Sequence, residues 1–193
     1  MSYSRLSTSI SDYLVRELKY SEEKKDIISY SLDTLFLLIS GYVLILLLGY
    51  MIGIPGAVLC TLLSGDILRK FSGGSHMSNP YRCLAATTII YISISWLSVQ
   101  AHSIWGNKDE FIIALIILCM TSIIIIYKYA PVDSLSKPIV STSFRKKLKI
   151  ASIATVVFLS LLALFFNSSY IGASITAGIF AQSVTLLPFL NRK

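Results

Sequence analysis

The segment Arg69-Lys-Phe-Ser-Gly-Gly-Ser-His76-Met-Ser-Asn79-Pro80-Tyr-Arg-Cys83 is a polar, glycine-rich break between two apolar runs. It carries one of the chain's two histidines and, seven residues later, a cysteine. How this break is read settles where the chain turns and whether a base and a nucleophile can meet. On one continuous helix, His76 and Cys83 would share a face but stand roughly 10 Å apart along the axis. A general base has to come within about 3 Å of its nucleophile. Pro80 inside such a helix would also clash with the carbonyl of His76.

A turn accommodates the residues better. Asn79 is a good N-cap and Pro80 suits the first position of a helix. Cys83 then falls in the first turn, near the positive end of the helix dipole and beside Arg82, an environment that favours thiolate. Gly73 and Gly74 allow backbone angles closed to other residues, so the chain can fold His76 back over the helix start. Free backbone N–H groups in that turn are expected to be available to an oxyanion. An inert reading stands beside this one, because polar loops of membrane proteins ordinarily carry Gly, Ser, Asn and a stray His. Two candidate ligands are too few for zinc, and Gly-Gly-Ser lacks the GK[ST] of a phosphate loop. Neither metal nor cofactor is expected.

Outward from the break, the chain is a membrane protein by composition. Hydrophobic residues make up 54% of its 193 residues and the mean hydropathy is +0.71. Residues 2–26 read as an amphipathic helix, with Leu6, Ile10, Tyr13, Leu14 and Leu18 at helical spacing, suited to the membrane interface or to docking a peptide. Six apolar segments follow, at about 31–51, 54–68, 83–101, 111–128, 149–166 and 170–189, each near the length of a span except the short second one. With the N-terminus inside and all six crossing, every one of the 17 basic residues except Lys108 falls on the inner side. Making the second segment a re-entrant stub would destroy that asymmetry, so the positive-inside rule favours six spans and two cytoplasmic termini. The fold class expected is an all-α membrane protein forming one domain over residues 1–193. It comprises an amphipathic N-terminal part, 1–30, and a six-span bundle, 31–189. The break, with His76 and Cys83, is then cytoplasmic. The net charge of +7 is explained by this topology without a nucleic-acid partner.

Other residues give weaker signals. Asp66 could orient His76 or pair with Arg69 three residues on. Cys60 and Cys119 lie in apolar segments as packing residues, and the three cysteines have no CxxC spacing. His102 is expected at the outer interface. The connection 129–148 contains Pro131 and Pro138, which forbid a regular helix through it.

Three motifs in order resemble the accessory gene regulator B (AgrB) family of membrane cysteine endopeptidases. They are Arg69 with Gly74-Ser-His76 and Cys83, Tyr129-Ala-Pro131 with Lys137-Pro138, and Thr185-Leu-Leu-Pro188. The resemblance implies that Cys83 is the nucleophile and His76 the general base, with Arg69 and Gly74 in supporting positions. It further implies that the acidic C-terminal tail of an AgrD-like precursor peptide is removed, through an acyl-enzyme thioester. That thioester passes to a Cys or Ser of the peptide and closes a thiolactone or lactone ring, giving a quorum-sensing signal. The expected partners are that precursor and the lipid bilayer, with a homodimer allowed. The competing readings are a non-enzymatic multi-pass protein, such as a small peptide transporter or export partner, and a degenerate homologue.

Overall fold

A computed structural model of the chain describes residues 5–18, 21–74, 79–105, 109–133 and 141–191. Seven helices follow one another among them: α1 (Arg5–Leu18), α2 (Glu22–Met51), α3 (Pro55–Ser72), α4 (Pro80–Trp105), α5 (Asp109–Tyr129), α6 (Thr142–Phe165) and α7 (Tyr170–Val184). A short 3₁₀ turn, Pro188–Leu190, comes after α7. No strand occurs among the described residues; Gly73 and Val132 form one isolated parallel bridge.

The protein is all-α and built for a membrane. Four helices are long and apolar enough to cross a bilayer: α2 over Lys24–Met51, α4, α5 and α6. Less than a third of each apolar window is buried inside the protein. Such broad apolar faces are what lipid tails cover, since a water-soluble monomer keeps its exposed apolar patches small.

The other two apolar segments take a different part. At 15 residues, α7 is about 22 Å long, short of the ~30 Å hydrocarbon thickness. It lies at the centre, packed against α3, α4, α5 and α6, with nine of its residues buried. A helix enclosed by protein has no need of an apolar surface, and this is why Ser174, Thr176, Gln182 and Ser183 are accommodated there. The helix α3 carries Asp66, Arg69 and Lys70 on its last turns and is likewise half enclosed. Small residues let it approach α7 closely. A Cβ on Gly178 would lie 2.1 Å from Ser64 Oγ and 2.3 Å from the carbonyl of Thr61. Ser98 and Ser174 join α4 to α7 through a hydroxyl pair at 2.9 Å. Below these polar contacts sits an apolar cluster of Leu68, Ile126, Ala130, Val156, Leu159, Ala163, Ile175, Ile179 and Leu186.

The chain divides into two compact units, residues 1–44 and 45–193. In the first, α1 buries Ser7, Ser11 and Val15, a stripe at four-residue spacing. Ser11 and Ser29 hydroxyls meet at 2.6 Å, and Lys25 pairs with Asp12 at 2.6 Å. Leu6, Tyr13 and Leu18 stay more than half exposed, as an interfacial helix requires. The single amphipathic helix expected to residue 26 is instead two: α1 ends at Leu18, and a new helix opens where the Ser21 carbonyl accepts from the N–H groups of Lys24 and Lys25.

In the second unit the helices run between two recognisable ends. At one, a Cβ on Gly56 would meet the Tyr170 hydroxyl at 2.7 Å, and His102 Nε2 lies 3.2 Å from the Ser168 carbonyl. At the other, Ser72 and Gly73 meet Val132 and Gln182. All described Lys and Arg side chains of residues 45–191 lie towards this second end: Arg69, Lys70, Arg82, Lys128, Arg145, Lys146, Lys147 and Lys149.

Candidate active site

Chain breakers and caps build the second end. Helix α3 stops at Ser72 because Gly73 turns away at φ +69°, its N–H still reaching the Arg69 carbonyl at 3.0 Å. Gly74 follows at φ +148°. Six residues after Gly74 the chain re-enters helix at Pro80. Asn79 caps it as its sequence suggests: Asn79 Oδ1 accepts from the Tyr81 N–H at 2.9 Å and from that of Arg82 at 3.3 Å. Cys83 stands in the first turn, a free and half-buried thiol. His76, the expected base, lies outside the described residues.

The cap alters one expectation. Pro80 has no N–H, Tyr81 and Arg82 donate to Asn79 Oδ1, and Cys83 N–H donates to the Asn79 carbonyl at 3.0 Å. The first-turn amides that were to receive an oxyanion are thus engaged, so those donors come from elsewhere or from release of the cap.

Two further segments converge on the glycine corner. After α5, the Ala130–Pro131 peptide is cis, and Val132 N–H then donates to the Ser72 carbonyl at 2.9 Å. Asp133 pairs with Arg145 on α6, which Ser141 caps through the Phe144 N–H. From α7, Gln182 reaches up with its side-chain amide. Its Nε2 donates to the Gly73 carbonyl at 2.7 Å and to the Ser72 hydroxyl at 3.2 Å. Thr185 stands one turn on, its hydroxyl donating to the Gln182 carbonyl, while Asn191 Nδ2 holds the Thr185 and Leu187 carbonyls. The described residues around Gly73–Gly74, Val132 and Gln182–Thr185, far apart in the chain, therefore meet at one end of the bundle. Leu68, Ala130 and Leu186 pack beneath them in the apolar cluster.

Against known protein families, the AgrB model (Accessory gene regulator B) matches residues 7–186. The chain belongs to the accessory gene regulator B family. Among its relatives, AgrB-like protein 2 of Clostridium perfringens strain 13 is 29% identical over 191 residues, covering 94% of this chain and 89% of the relative. AgrB-like protein 1 of the same strain is 30% identical, covering 94% of each. Accessory gene regulator protein B of Staphylococcus intermedius is 32% identical over 126 residues, 65% of this chain and 62% of the relative. No solved structure matches.

Of the residues expected at an accessory gene regulator B site, Gly74 is drawn into the converging corner, Arg69 closes α3 beneath it, and Cys83 opens α4. Among the described residues no group of three His, Cys, Asp or Glu could hold a metal ion. Sequence reasoning passes over Gln182. Its signal is that it is the one amide side chain in α7, and an enclosed polar side chain in a membrane bundle seldom lacks a task.

Proposed function

We propose that the protein is a membrane cysteine endopeptidase of the accessory gene regulator quorum-sensing system, acting on an AgrD-like precursor peptide. The observation that carries this reading is the half-exposed free thiol of Cys83 at the start of α4, in a chain matched by the family model over nearly its whole length. In this reading His76 takes the thiol proton as Cys83 sulfur attacks the scissile carbonyl. The tetrahedral intermediate collapses, His76 hands the proton to the departing amine, and the acidic tail leaves. The remaining acyl-enzyme thioester is attacked by a Cys or Ser side chain of the peptide. A thiolactone or lactone ring forms, and the Cys83 thiol is regenerated. Arg69 and Gly74 support the loop that brings base and nucleophile together.

The basic end of the bundle supports a cytoplasmic site in a multi-pass protein of the cell membrane, by the positive-inside rule. The same positive field favours an acidic tail over a neutral one. Co-expression with a precursor from a neighbouring reading frame tests the proposal. Wild type releases the tail, and Cys83→Ala and His76→Ala do not. Undiminished release in both variants would sink it.

A further inference from the structure

Gln182 does more than fill space at the bottom of the corner. It is 2% exposed, on the central helix, and both observed hydrogen bonds of its amide nitrogen are to Ser72 and Gly73, where α3 ends. The Gly73 carbonyl has only a few ways to be satisfied, because its neighbours Ser72 and Val132 are already bonded to each other through the backbone. The Ser72 hydroxyl also donates to that carbonyl, at 3.2 Å, so Ser72, Gly73 and Gln182 close a small ring of hydrogen bonds. Gly74 is seated against the same helix: a Cβ there would come within 3.2 Å of Gln182 Nε2 and 2.6 Å of Thr185 Oγ1. Both glycines have positive φ, so the direction in which the chain departs is fixed by these contacts and not by local preference.

Resting on the reading of His76 and Cys83 as base and nucleophile, we propose that Gln182 is a positioning residue for that dyad. It anchors the Gly73–Gly74 corner to the buried central helix α7. His76 follows two residues beyond Gly74 in the chain, so this corner is the last fixed point before it. A buried amide of this kind is well placed for the task, because it supplies the shorter of the two side-chain hydrogen bonds that the Gly73 carbonyl accepts, and the one that ties the corner to another helix.

The test uses the full chain in lipid nanodiscs and iodoacetamide as the probe. Alkylation of Cys83 is followed by peptide mapping as a function of pH. Wild type and His76→Ala are expected to give different pH profiles, since the base is present in only one. Gln182→Leu, which keeps the volume and removes the donors, is expected to lose the wild-type profile and fall on that of His76→Ala. Gly74→Ala disturbs the same corner from the other side and is expected to do likewise; it serves where Gln182→Leu does not accumulate. A wild-type profile in either corner variant, with His76→Ala distinct, overturns the role of Gln182 and leaves the dyad standing. Identical profiles for wild type and His76→Ala overturn the dyad and this inference together.

Discussion

At the residue scale, the glycine corner is the most demanding place in the chain. Gly73 has φ +69°, and a Cβ on it would stand 2.3 Å from the backbone carbonyl of Val132. That neighbour is backbone and already committed to the bridge, so it cannot step aside as a flexible side chain would. Gly73→Ala is expected to cost about 1–3 kcal/mol through the strained φ, with more from the contact. Gly53, at the other end, has φ +78° and open space around it. Gly53→Ala is therefore expected to cost only the conformational part, roughly 1–2 kcal/mol, and to leave peptide processing intact. Thermal unfolding of the two variants in one detergent checks the ordering. A Gly53 variant as damaged as the Gly73 variant would contradict it. The need for flexible residues at 73 and 74 was legible from Gly-Gly alone. Their partners were not, because nothing in the spacing of Gly73, Val132 and Gln182 says that three distant segments meet.

At the element scale, the start of α4 shows when local sequence suffices. Asn79-Pro80 encodes cap and first position together, and the helix opens where those residues put it. Asn79→Ala is expected to cost about 0.5–2 kcal/mol by removing the cap from the turn that holds Cys83. Because Cys83 is on that turn, peptide processing should suffer more than thermal stability, and measuring both separates the effects. Elsewhere, hydropathy misjudged the ends. The expected fifth span began at 149, whereas α6 begins at Thr142, capped by Ser141. Apolar content marks where a helix meets lipid, and the lysine-rich turns 145–149 continue the same helix beyond that boundary. The break near Ser21 was invisible for the opposite reason, since amphipathic spacing carries on across it. Between elements, the α3–α7 contact depends on Gly178, where an added Cβ would strike the Thr61 carbonyl at 2.3 Å. Gly178→Ala is expected to part the helices and destabilise by about 1–3 kcal/mol, read as a lower unfolding temperature.

At the scale of the whole molecule, the sequence conveyed an all-α membrane protein and the charge asymmetry of its bundle, but not which segments lie inside. Apolar runs look alike whether they face lipid or protein. The distinction resides in the Ser, Thr, Gly and Gln of α3 and α7, whose partners only the packing reveals. The orientation proposed from charge has a direct check. In a chain without its native cysteines, a single cysteine at Ser168 is expected to react with an impermeant maleimide on intact cells, and one at Ser141 only after lysis. The reverse pattern would put the site outside.

The central claim is that Cys83 carries the peptide as a thioester. Intact-protein and peptide-level mass spectrometry of the nanodisc-embedded chain, quenched in acid soon after mixing with a cleavable precursor, reads this most directly. The expected result is a hydroxylamine-labile adduct on Cys83, equal in mass to the precursor without its tail less one water, and no adduct in Cys83→Ala. Tail release at the wild-type rate from Cys83→Ala, or an adduct on another residue, would contradict it.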